Sequence, residues 1–157
     1  MPVYLLTLHT YGSWLPDRAP GYVRRDRDGV LARDNGMSES YRTQMKGNSV
    51  LLTDSQRDTV VDVVRRSAAK TKVRLHACAV EPTLVHLLAS RSDERTWERV
   101  RASLKRSLTL ELNERYERKA WWSRGGSRRR VMGAEHFDEL VERYLPAHSM
   151  CWREGDG

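Results

Sequence analysis

The sequence of 157 residues predicts a single α+β domain, an antiparallel sheet with helices packed on one face. Three observations predict it. The hydrophobic period switches along the chain in the order β-α-β-β-α-β-α, two β-α-β halves around a hairpin, which is the plan of a ferredoxin-like split β-α-β sandwich. The length suits one core that folds without covalent staples. Hydrophobic residues make up 39% and charged residues 31%, the balance of a folded globular chain, and no apolar run approaches the roughly 20 residues that span a bilayer.

The elements follow in order. Residues 3–9 alternate loosely and are rich in β-formers, so they read as a strand, and the stretch from Met1 to Leu8 lacks the positive n-region and small-residue cleavage site of a signal peptide. From about Pro16 to Asn48 the chain is punctuated by Pro16, Pro20, Gly21, Gly29, Asn35, Gly36 and Gly47. A loop of this length is uncommon in a compact domain and usually functional. It carries Arg24, Arg25 and Arg27 and is expected to be mobile. Thr53 and Gln56 form a capping box, after which Val60, Val61, Val64 and Ala68 repeat with helical period to about Lys70. Val73 to Val80 and Leu84 to Ser90 read as strands joined at Glu81-Pro82-Thr83, because proline cannot donate to a ladder. Trp97, Val100, Leu104, Leu108 and Leu112 form one buried stripe of a helix from Asp93 to about Arg115. A glycine turn within Trp121–Met132 feeds a short basic strand. A last helix runs from Ala134, with Phe137, Leu140, Val141, Tyr144 and Leu145 on its apolar face, and the polar tail after Cys151 is expected to fray.

Charge supplies the first functional hint. Lys plus Arg number 28 against 21 Asp plus Glu, a net charge of +7. The excess is mostly arginine, whose planar fork suits phosphate contact and base stacking. Arg124, Arg128, Arg129 and Arg130 are the leading phosphate contacts, with Lys105 and Arg106 on the exposed side of the second helix. Tyr11 and Trp14 are candidates for stacking on bases. The same charge would also suit an acidic protein partner. Cys78 and Cys151 are far apart and predict free thiols in a reducing cytoplasm, while His9 and His76 read as structural.

Four segments, in sequence order, resemble the HUH single-tyrosine transposases, in particular the REP-associated tyrosine transposase branch. They are Leu8-His9-Thr10-Tyr11-Gly12-Ser13-Trp14-Leu15-Pro16, Val85-His86-Leu87-Leu88, Trp121-Trp122-Ser123-Arg124-Gly125-Gly126-Ser127-Arg128 and Leu140-Val141-Glu142-Arg143-Tyr144-Leu145. The resemblance leaves residues 17–50 and the extreme tail unmatched. It implies that Tyr144 is the nucleophile, carried on the terminal helix, that attacks a DNA phosphate to form a phosphotyrosine. It also implies single-stranded or hairpin DNA as partner, with RNA as an alternative, and a homodimer. In the family a His-hydrophobic-His pair on one strand face holds a divalent metal, Mg or Mn, together with a ligand four residues beyond the tyrosine.

In this sequence His86 matches the second histidine, Leu84 stands in place of the first, and His148 matches the third ligand. Four residues of helix would put Tyr144 and His148 on one face, although Pro146 between them breaks or kinks a helix. Two readings follow. Either the chain is a metal-dependent single-strand DNA endonuclease, or it is a domesticated DNA- or RNA-binding module without cleavage. Both expect His86 and Tyr144 to meet beside an arginine-lined groove.

Overall fold

The computed structural model describes residues 2–12, 49–92 and 94–156, and the backbone of 22–23 and 30–31. The described elements are β1 (Val3–His9), β2 (Tyr22–Val23), β3 (Val30–Leu31), α1 (Asp54–Ala69), β4 (Val73–Glu81), β5 (Leu84–Arg91), α2 (Trp97–Arg115), β6 (Ser127–Arg130), α3 (Ala134–Glu139) and β7 (Met150–Arg153). A π-helical turn (Leu140–Tyr144) and a 3-10 turn (Leu145–Ala147) join α3 to β7. The main sheet has the order β6-β1-β5-β4-β7, and all its neighbouring strands are antiparallel. β5 therefore lies between the parallel strands β1 and β4, and β1 lies between β5 and β6. This is the expected α+β split β-α-β sandwich, with one further strand at its edge.

The helices begin where side chains satisfy their first amides. At Thr53 both halves of the capping box form, with Thr53 Oγ1 accepting from the Gln56 N–H and Gln56 Oε1 accepting from the Thr53 N–H. Thr96 caps α2 by accepting from the Arg99 N–H. α2 thus starts after the proposed Asp93, which lies outside the described residues. α1 and α2 bury Val60, Val63, Val64, Trp97, Val100, Leu108 and Leu112 against Leu6 and Leu8 of β1, Val85 and Leu87 of β5 and Cys78 and Val80 of β4. Each large apolar side chain so buried stabilises the fold by roughly 1.5–3 kcal/mol relative to exposure.

The alternate residues of the same strands build a second core. Leu5, Ala77, Ala79 and Leu88 pack beneath Leu140 and Leu145 of the terminal segment. A bulge between Leu75 and Ala77 shifts the register of β4 on β5. His76 thereby joins this second face, its ring set edge-on to Phe137 of α3. The short side chains of Ala77 and Ala79 leave the chain room to lie close to the sheet.

Two expectations are corrected. The last helix is not continuous: α3 ends at Glu139, and the chain widens into the π turn, where the Leu145 N–H bonds to the Leu140 carbonyl. Pro146, with no N–H and a ring that crowds the preceding turn, stops an α-helix here. Nor does the chain fray after Cys151. Met150–Arg153 pair with β4, Trp152 opposite Cys78, and Trp152 packs on the helix-side core with the Arg65 guanidinium 4.7 Å from its ring centroid. The exposed edge of β4 offers unpaired backbone groups, and β7 satisfies them. The proposed loop of 16–48 lies outside the described residues apart from the short β2–β3 pairing, and Arg24, Arg25, Arg27 and Trp14 fall outside them. Among the described residues no helix is long and apolar enough to cross a membrane.

Candidate functional site

The sheet register sets the floor of the site. Ser127, Thr7, His86, Ala79 and Cys151 pair across β6, β1, β5, β4 and β7, so their side chains share one face. It is the face covered by the terminal segment. Leu145, fully buried, pins that segment to the sheet. Beyond it the Ser149 N–H donates to Glu81 Oε1 at 2.6 Å and the Ser149 hydroxyl to the Val80 carbonyl at 3.0 Å. Together these hold Tyr144 and His148 over His86.

The three rings form a triangle. Centroid separations are 5.5 Å for His86–Tyr144, 4.9 Å for His86–His148 and 5.1 Å for Tyr144–His148. The Tyr144 hydroxyl lies 3.4 Å from His86 Nε2, and the Thr7 hydroxyl lies 2.8 Å from His86 Nδ1. His148 Nδ1 lies 3.0 Å from the Tyr144 carbonyl and 3.1 Å from the Leu145 carbonyl. Because both partners are carbonyl acceptors, that nitrogen carries the proton and the His148 Nε2 lone pair stays available. His86 is 6% exposed, whereas Tyr144 is 44% exposed. The buried imidazole thus lies against a partly exposed phenol.

Electrostatics keep His86 neutral. Burial, then the neighbouring His148 and His9, lower its pKa from 6.5 to about 4, against a small opposing pull from Glu81. At neutral pH it is an acceptor facing an accessible phenol. That arrangement lets the ring accept a hydrogen bond from the Tyr144 hydroxyl.

The donor set does not suit magnesium or manganese. The family's motif supplies two imidazoles from one strand and a third ligand, whereas the triangle supplies one imidazole from that strand, His148 and a phenol, one strand histidine short of the set that holds the ion. Leu84, two residues before His86 on the same strand face, contributes only methyl groups. Among the described residues no group of three His, Cys, Asp or Glu side chains is placed to hold a metal ion.

The basic candidates divide between the two faces. All of β6 is exposed. Arg129 pairs with Leu5 and so lies on the Tyr144 face, while Arg128 and Arg130 pair with Leu6 and Tyr4 and lie on the helix face. Arg128 sits over the Tyr4 ring at 5.6 Å and 3.7 Å from Glu98. Arg106 and Arg124 line a shallow groove of about 530 Å3 with Lys119, Trp122 and Leu110. This groove runs along α2, so it lies across the sheet from Tyr144 rather than beside it, which corrects the expected juxtaposition. Lys105, also in its wall, donates to the carbonyls of Ser123 and Gly125 and braces the turn. Tyr11 packs against the helix-side core, its N–H bonded to the Trp121 carbonyl at 2.8 Å. His76 bonds the Ser90 hydroxyl at 3.0 Å and lies 3.5 Å from Glu154, holding the end of the chain.

Sequence reasoning missed Thr7 and Glu81. Alternation along β1 puts Thr7 and Leu5 on one face, a signal present in the sequence. That Thr7 faces His86 depends on the pairing of strands 79 residues apart.

No protein-family profile and no curated protein matches the chain. Among solved structures it is similar to a candidate transposase of Deinococcus radiodurans R1, with 18% identity, a TM-score of 0.51, and coverage of 94% of this chain and 92% of that one. It is also similar, with 12% identity and a TM-score of 0.46, to a REP-associated tyrosine transposase bound to a REP hairpin, covering 92% of this chain and 64% of the other. The first likeness bears out the resemblance drawn from the sequence at the level of the fold.

Proposed function

We propose that this protein is a transposase-type DNA-binding protein that takes single-stranded or hairpin DNA and attacks one of its phosphates with Tyr144. The observation that carries the reading is the placement of the exposed Tyr144 hydroxyl 3.4 Å from the buried, neutral His86 imidazole. A phenol is a weak nucleophile until a neighbouring base takes its proton. The net charge of +7 and the exposed arginines of β6 supply attraction for a phosphate chain. Attack at phosphorus would leave the strand joined to the protein and release a 3′-hydroxyl, which can later reverse the step without an energy cofactor. The same reading places the chain in the cytoplasm as one domain and a homodimer.

The experiment is incubation with labelled hairpin-bearing single-stranded DNA, followed by denaturation. The expected result is a denaturation-resistant adduct in the wild type and none in Tyr144→Phe. Absence of an adduct with DNA hairpins in any buffer overturns cleavage.

A second reading is favoured by Leu84 in the metal motif: a module that binds structured DNA or RNA without cutting it. It expects salt-sensitive retention of the same oligonucleotides with Tyr144→Phe indistinguishable from wild type.

A further inference from the structure

The family resemblance assigns the histidines at this site to a metal, and the donor set here does not fit that role. We infer that His86 is the general base for Tyr144, oriented by Thr7, and that the pair acts without a divalent cation. The inference rests on Tyr144 being the nucleophile and specifies how it is activated.

The geometry gives each atom one task. For Nε2 of His86 to accept from the Tyr144 hydroxyl, the proton of the neutral ring must sit on Nδ1. Nδ1 lies 2.8 Å from the Thr7 hydroxyl, which can accept that proton in a hydrogen bond. A partner on one ring nitrogen fixes the tautomer and so decides what the other nitrogen does. Thr7 cannot slide away, because β1 is held on both sides, with Thr7 paired to His86 of β5 and to Ser127 of β6. The hydrogen-bond partner of the Tyr144 hydroxyl is His86, while the Nδ1 of His148 is taken by its own turn.

The step balances without an added reagent. The Tyr144 oxygen forms a bond to phosphorus as the bond from phosphorus to the 3′-oxygen breaks. The phenol proton passes to His86 Nε2, and the departing 3′-oxygen takes a proton from water. No atom changes oxidation state. Thr7 touches none of the reacting atoms and is a positioning residue.

The test avoids dependence on a particular hairpin. The probe is thymidine 5′-(4-nitrophenyl phosphate), whose leaving group needs no acid, mixed with the full chain in EDTA. Wild type is expected to release about one equivalent of nitrophenolate and to gain a thymidylate mass at Tyr144, at the same rate with EDTA or Mg2+. His86→Gln is expected to label about 100-fold more slowly, the usual scale of a general base. Thr7→Val should label roughly 10-fold more slowly, and Thr7→Ser should recover the rate by restoring the hydroxyl. Nitrogen-15 shifts of His86 should report a protonated Nδ1 in wild type and a mixture of tautomers in Thr7→Val, a change that loss of packing alone would not produce. Labelling that requires Mg2+ or Mn2+, wild-type labelling by His86→Gln, or no labelling at Tyr144 overturns the inference. If hairpin DNA nevertheless forms the Tyr144 adduct with a metal, the nucleophile stands and only its metal-free activation falls.

Discussion

Tyr144 and His148 stand with ring centroids 5.1 Å apart although Pro146 lies between them in the chain. The backbone achieves this by widening and then tightening. The Leu145 N–H reaches back five residues to Leu140, and the His148 N–H reaches back three to Leu145. The bond that Pro146 cannot donate is never required. π turns of this kind occur often at functional positions, where they turn a side chain that a regular helix would misdirect.

Leu84→His should turn the triangle into a metal site. The new imidazole would share the strand face of His86 and stand near His148, adding the donor that the native set lacks. Calorimetric titration with Zn2+ or Mn2+ is expected to show at least roughly tenfold tighter binding than wild type. Leu84 is only half-buried, so the cost in stability stays below about 2 kcal/mol. Equal affinities for the two proteins would show that residue 84 does not look toward the other ligands.

Gly126→Ala should detach the basic edge strand. Gly126 has φ of +145°, and a Cβ there would stand 2.5 Å from the Thr7 carbonyl oxygen. Backbone strain of this kind costs on the order of 1–3 kcal/mol, and the clash adds to it. Hydrogen exchange is expected to quicken across Ser127–Arg130 and in β1 around Thr7, with weaker retention of DNA. Gly133→Ala, where no atom lies within 4 Å of the added carbon, isolates the strain from the clash because its φ is also positive.

Stability should fall in acid through His86. Its pKa is about 4 in the folded chain against 6.5 as the reference. Between those values the unfolded chain binds more protons, so stability rises with pH. The contribution is complete above pH 6.5 and is lost as pH falls from there toward 4, and burial lowers the His76 pKa in the same direction. The difference for His86 corresponds to about 3 kcal/mol. Denaturant melts at pH 7 and pH 4.5 check it, and His86→Gln should shrink the gap; an unchanged gap would assign the acid loss to other groups.

Replacing basic residues should separate phosphate binding from bracing. Arg106→Ala and Arg124→Ala together are expected to weaken single-stranded DNA binding and to lower the salt slope by roughly 1.4, near 0.7 for each phosphate left without its arginine. Stability should barely change, since both side chains are exposed. Lys105→Ala should behave differently. It frees the carbonyls of Ser123 and Gly125 and is expected to cost about 1–3 kcal/mol in the turn before any change in the slope. A single response shared by all three variants would contradict this division.

Much of the fold was legible because its signals are local. The Thr53–Gln56 box, the apolar stripe from Trp97 to Leu112, the hairpin at Pro82 and the basic strand after Gly126 each depend on residues within a turn or two of one another. Tyr144, His86 and His148 were also nameable, through the resemblance that spacing and residue type carried. β7 was not legible, because Met150–Arg153 alternate over too few residues to announce a strand, and what makes them one is the unpaired edge of β4, far away in sequence.

The sequence by itself determined the α+β order, the Thr53 helix cap, the positive charge and the absence of a histidine at 84. Only the tertiary structure decided that Thr7 faces His86, that Arg129 shares the Tyr144 face while Arg128 and Arg130 do not, and that the α2 groove opens on the other side. Periodicity and capping arise from neighbours along the chain, whereas strand register follows from burying the correct face of every strand at once, and a slip of one residue would have exchanged the two faces.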